Sequence, residues 1–133
     1  MRYLCLGYHD RKLWDGLGEP ERQKLLNEMA AYERMLQQAG HAIESAVFEG
    51  TGTSATLRLG SGGVSVTDTS AADNNERLEG VMLLDARDLN HAIQLLSQFP
   101  SIRLGGRVEI RTINEMSSER RVSHEIHAAD LHD

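Results

Sequence analysis

The chain of 133 residues is short of several things, and each shortage closes off a class of protein. It has one cysteine, Cys5, so no intrachain disulfide can hold the fold together. A lone thiol fits a reducing compartment, and its place in an apolar stretch reads as a small buried hydrophobe. No apolar run approaches the ~18 residues that cross a bilayer. The opening residues show no basic segment followed by an apolar core. A cytoplasmic location without membrane contact is therefore expected. Basic residues are the minority, 14 against 20 acidic, for a formal net charge of -6. Such a chain repels phosphate backbones, and no basic stripe interleaved with aromatics offsets this, so direct nucleic-acid binding is not expected. A Ser-His-Asp motif, a thiol motif, a nucleotide loop and a zinc signature are all missing, which counts against the common hydrolases and dehydrogenases. No cofactor is expected.

What is there points to one domain with a tail. A chain of this length buries roughly two-thirds of its unfolded surface and needs no metal or disulfide to fold. "YLCLGY" at 3–8 alternates as a strand, with Leu4, Leu6 and Tyr8 on one face and Tyr3 and Cys5 on the other. Pro20, flanked by Glu19 and Glu21, suits a first helical turn. Leu25, Met29, Tyr32 and Leu36 then form one stripe of an amphipathic helix, and Gly40 follows as its left-handed cap. Residues 42–48 read as a strand. Thr53–Leu59 and Val64–Asp68 form a hairpin around the turn GSGG, whose glycines lack the spacing of a phosphate loop. VMLL at 81–84 has no alternation, which suits a central strand covered on both faces. Asp88 caps a second helix with the stripe Leu89, Ala92, Ile93, Leu96 and Phe99, ended by Pro100. A last strand runs Val108–Ile113. Residues 117–133 hold few large apolar groups and read as a polar tail on a domain of residues 1–116.

Strand, helix, a meander of strands, helix and strand make a split β-α-β arrangement. The expected fold is α+β and ferredoxin-like, a single antiparallel sheet with two helices on one face. Aromatics are 5% of the residues, so the other face lacks bulky cover, and a second subunit is expected to supply it.

The order and spacing of "MRYLCLGY", "AYERMLQQAG", "TSATLRLGSGGVSVTD", "RLEGVMLLDARDLNHAIQLLSQFP" and "GRVEIRTI" resemble the YCII-related family, in its DGPF-domain branch, from Met1 to about residue 114. The resemblance implies a dimeric α+β barrel. Where the branch has Asp-Gly-Pro-Phe, this chain has Asp68, Thr69, Ser70 and Ala71. Ala72, Glu76, Leu78 and Gly80 downstream stand in the expected places. The histidine of the family's other branch corresponds to Tyr32, so a His–Asp pair is not carried over.

Several residues stand out as candidates. Asp68 either projects into a cleft as a base or caps its own loop. Tyr32, on the apolar stripe, is a proton donor or a core tyrosine with a satisfied hydroxyl. Tyr8 ends the first strand where a site can open, while His9 and Asp10 read as solvated loop residues. Trp14 is a lid over a small-ligand pocket or a plug at a subunit contact. Arg111 orients an anionic ligand or pairs with an acidic neighbour. His41 and His91 read as isolated surface residues. In the tail, His124 and His127 share a helical face, but no matched third ligand accompanies them, and no metal site is expected.

The reading these features support is a homodimeric module that binds a small molecule. The branch's association with sigma factors implies an accessory role in transcription. The alternative is a lyase or related enzyme acting on a small, ring-shaped substrate, with Asp68 as base, Tyr8 or Tyr32 as proton donor and Arg111 as anion clamp.

Overall fold

A computed structural model of the chain describes residues 1–48, 54–68 and 76–114. The expected tail and the loop after Asp68 lie outside the described residues. Strand β1 (Arg2–Asp10) leads through a short helix, α1 (Arg11–Asp15), to the long helix α2 (Glu19–Gln38). Strands β2 (Ala42–Val47), β3 (Ala55–Gly60), β4 (Gly63–Asp68) and β5 (Glu76–Asp85) follow. Helix α3 (Leu89–Leu96), a 3-10 turn (Pro100–Leu104) and β6 (Arg107–Thr112) complete the chain.

The helix ends follow from local chemistry. Pro20 sits in the first turn of α2 beside Glu19 and Glu21, where a missing N–H costs nothing and negative charge meets the positive end of the dipole. Gly40 leaves that helix at φ +81°, a conformation in which a side chain would be strained. The Asp88 carboxylate accepts from the His91 N–H at 2.8 Å and so starts α3. Asp10 does the same for α1, accepting from the N–H groups of Lys12 and Leu13. Asp10 is thus a helix cap at the end of a strand.

Four strands form one sheet in the order β2-β5-β1-β6, every neighbouring pair antiparallel. The first strand lies beside the third and last of the four, which is the ferredoxin-like order. Both long helices lie on one face. The buried cluster joins Tyr3, Cys5, Met82 and Leu84 of the sheet to Leu36 of α2 and to Ala92 and Leu96 of α3. Cα partners Tyr3–Leu84 and Cys5–Met82 stand side by side there, so alternate residues of the two central strands build the core.

The four-stranded sheet is open within one chain, as the expected arrangement has it. Three features depart from the expected pattern. The β3–β4 hairpin does not continue the sheet but forms a two-stranded sheet of its own, because β2 pairs directly with β5. The VMLL stretch is covered on one face: Met82 and Leu84 are buried, whereas Val81 and Leu83 are half-buried beside Leu6 and Leu4. In α3 the buried side is Ala92 and Leu96, and Leu89 and Ile93 are turned outward.

Candidate functional site

Between the sheet and α2 the core stops short of filling its end. Gly7 of β1 and Gly80 of β5 are direct Cα partners. Two facing glycines remove the side chains that would stand on the helix-covered face of the central strands. The result is a cleft floored by Gly7, Gly80, Cys5 and Met82 and walled by Met29 of α2 and by Phe99. The hollow spans about 420 Å³, counting the part that opens to solvent. A side chain at Gly80 would place its Cβ 2.8 Å from the Ala46 carbonyl oxygen, so the backbones of β2 and β5 depend on a glycine there. At Gly7 the same atom would lie 3.8 Å from the Gly80 carbonyl oxygen, an ordinary contact.

Two carboxyl groups border this apolar space, Glu33 and Glu79. Glu33 lies four residues after Met29 on α2 and therefore shares its face. Burial pushes the Glu33 carboxyl above the usual carboxylate range, and the nearby charge of Glu79 pushes it further the same way. Among the described residues it meets no hydrogen-bond donor. Glu79 reaches the cleft through an irregularity of pairing. Between the partners Gly7–Gly80 and Tyr8–Leu78, β5 holds one extra residue, and that residue is Glu79. A bulge of this kind re-aims a side chain. Strict alternation from Leu84, Met82 and Gly80 would have sent Glu79 to the opposite face. Instead its Oε2 lies 3.3 Å from His9 Nδ1, with both side chains mostly buried at 12% and 14% exposure. The His9 ring in turn packs against Trp14 at 5.5 Å between centroids, and the Arg22 guanidinium stands 6.0 Å from the Trp14 ring.

The arrangement combines a carboxyl that meets no donor among the described residues, a carboxylate–histidine pair and an apolar hollow. It can hold a small molecule by its apolar body and engage one polar group at the carboxyls. The thiol of Cys5, pushed by burial to about 12, stays neutral and serves as floor. No group of His, Cys, Asp and Glu among the described residues is arranged to hold a metal.

Of the site residues expected from sequence, none of Tyr8, Trp14, Tyr32 and Arg111 lines this cleft; Trp14 only packs on His9, the partner of Glu79. Tyr32 stands in the wall of the core, donating its hydroxyl to the Leu95 carbonyl and meeting Phe99 edge-on at 5.5 Å. Its phenol pKa is raised by burial. Tyr8 and Arg111 lie on the sheet's other face. There the Arg107 guanidinium covers the Tyr8 ring at 4.1 Å, and Arg111 pairs with Glu109 at 3.2 Å. Asp68 ends β4 with its main chain opposite Ala55, in the separate hairpin, and its side chain is outside the described residues. His9 is a half-buried strand residue rather than a solvated loop residue. His41 and His91 are not isolated either, since their rings meet edge-on at 5.1 Å.

A model of the YCII-related domain matches residues 1–117. The chain belongs to the YCII-related family. An uncharacterized protein of Rhizobium meliloti (strain 1021) is similar to it, 29% identical over 93 residues, which is 70% of this chain and 75% of that protein. The glycine floor and both carboxyls lie inside the span of the YCII-related match. Glu33 and Glu79 escaped the sequence reading for different reasons. The first carried a signal, a carboxylate at helical spacing from Met29 on the apolar stripe. The second carried none, because a bulge is a property of how two strands pair.

Proposed function

We propose that this YCII-related protein is a homodimeric small-molecule-binding module. The observation that carries the binding half is the cleft, an apolar hollow opened by paired glycines and edged by the Glu33 carboxyl. Clefts of this make-up, mostly apolar with a few converging polar groups, are the usual seat of small ligands. Dimerisation is supported by the other face of the sheet. Leu4 and Leu83, and Leu6 and Val81, are cross-strand partners on that face, which none of the described helices covers. The hairpin adds Leu57, Leu59, Val64 and Val66, all exposed on one side of a two-stranded ribbon. Such a ribbon is marginal by itself in water, and a second copy would give both surfaces apolar cover. In a dimer the two open sheets would stack face to face, the arrangement of a dimeric α+β barrel. The accessory role beside sigma factors that the family resemblance implies fits this reading through a protein partner, since a net charge of -6 opposes direct contact with DNA.

An enzymatic reading is favoured by one specific observation, the Glu33 carboxyl facing the His9–Glu79 pair. A raised carboxyl can give a proton while a carboxylate–histidine pair takes one, as a lyase acting on a small ring-shaped substrate requires. Asp68 would then be a further base contributed from the hairpin.

The test is a screen of small organic compounds by NMR on protein labelled at the methionine methyls. Compounds that bind the cleft shift the Met29 and Met82 signals, and Gly7→Val, whose branched side chain fills the floor, abolishes those shifts while remaining folded. Hits that persist in Gly7→Val would move the site elsewhere. Turnover of any hit that is lost in Glu33→Gln would put the enzymatic reading first. Sedimentation showing a monomer at micromolar concentration would remove the dimer.

A further inference from the structure

The chemistry of the cleft lining narrows the ligand, and the inference rests on the small-molecule reading of the same cleft. No lysine or arginine lines it among the described residues, while Glu33 and Glu79 both do. An anionic ligand would meet two carboxyl groups in an apolar setting, where like charges repel strongly. A neutral apolar ligand would remove the remaining water from Glu33 and leave its carboxyl without a donor, an expensive arrangement for a polar group. Glu79 has His9 at 3.3 Å, so one of the two carboxyls is already served by the protein. The other is not.

We propose that the cleft is a site for a small protonated amine. The ammonium group lies at the Glu33 carboxylate with Glu79 behind it, and the apolar body rests on the Gly7–Gly80 floor between Met29 and Phe99. An ammonium supplies up to three donors, satisfying Glu33 and leaving a donor for Glu79 or for water. The glycine floor gives depth for a slim chain, and the limited volume excludes bulky or branched amines. The same interaction lowers the proton affinity of Glu33, since a bound cation favours the carboxylate over the acid. The negative charge of the whole chain adds an attraction for cations at long range.

Three probes of nearly equal shape separate the alternatives: n-propylammonium, 1-propanol and propionate, titrated against protein with labelled methionine methyls. The amine is expected to shift the Met29 and Met82 signals at least about tenfold more tightly than the alcohol, and propionate to leave them unmoved. In Glu33→Gln, which keeps the shape of the side chain, amine affinity should fall to the alcohol's level while alcohol affinity stays within about twofold. Equal binding of amine and alcohol in the parent protein, or an amine preference that survives Glu33→Gln, would overturn the proposal. Binding of the alcohol without the amine would also overturn it yet leave the small-molecule reading standing. If none of the three probes moves the methionine signals, both fall together.

Discussion

The two faces of the central strands are made from neighbouring residues of the same segments, yet they live in different surroundings. On the helix-covered face Tyr3 and Leu84 are buried to 1% and 0% exposure. On the open face, one residue along each strand, Leu4 keeps 36% of its surface and its partner Leu83 is half-buried. Both faces are aliphatic. A sheet that met only water on one side would alternate apolar and polar residues, as half-buried antiparallel strands do. The near-continuous apolar run of β1 and β5 is the pattern of strands covered on both faces, and the described helices cover only one of them. The difference between the faces is one of partners, not of composition.

Paired truncations test this most directly. Leu84→Ala removes a fully buried side chain and should cost about 2–5 kcal/mol in a urea melt. Leu83→Ala in a dilute, monomeric sample should cost much less, under about 1 kcal/mol. Its cost should grow with protein concentration if a second copy covers the open face. Equal costs at every concentration would erase the distinction between the faces.

A second comparison sets the two floor glycines against each other. Gly80→Ala drives a Cβ to 2.8 Å from the Ala46 carbonyl oxygen, so β2 must shift, and a loss of about 1–3 kcal/mol is expected. Gly7→Ala meets its nearest neighbour at 3.8 Å and should stay within about 0.5 kcal/mol of the parent. A reversal of that order would mean that the cleft floor is not the one described.

The third concerns charge on the covered face. The folded-state pKa of Glu33 is raised, by burial first and by Glu79 second. The folded protein therefore holds that proton more tightly than the unfolded chain does. The resulting destabilisation is complete above the folded pKa and disappears as pH falls below the unfolded value of about 4.3. Glu33→Gln, neutral at every pH, should be the more stable protein at pH 7, by a margin kept small by the solvent that reaches the partly exposed Glu33. The advantage should close near pH 4, as denaturant melts at several pH values would show. An advantage unchanged by pH would point to packing instead of charge.

A small effect is also expected at the C-terminus. The family match ends at residue 117, so removing residues 118–133 should change stability by less than about 1 kcal/mol. A larger loss would show that the tail belongs to the packed body or to its partner.

Periodicity and caps carried most of the fold. The helical stripe through Met29, Tyr32 and Leu36, the cap at Asp88, the left-handed Gly40 and the alternation of Tyr3 and Cys5 against Leu4 and Leu6 are all local. Each follows from the geometry of a few consecutive residues, and the structure contains each one. The ferredoxin-like order followed from the sequence of those elements. The cleft did not. Gly7 and Gly80 are 73 positions apart in the chain, and only their pairing makes a floor of two unremarkable glycines. Glu79 reads as the open-face residue of a strand, and one extra residue in the β1–β5 register turns it to His9. Tyr8 and Arg111, plausible site residues by type, went to the other face because strand parity sends them there. The sequence by itself determined which segments are helix and strand and how apolar each face is, since those depend on contacts within a few residues. Tertiary structure alone decided which side chains share a cleft and which face the described helices leave open, because register, bulges and the separate hairpin arise between segments that the chain order keeps far apart.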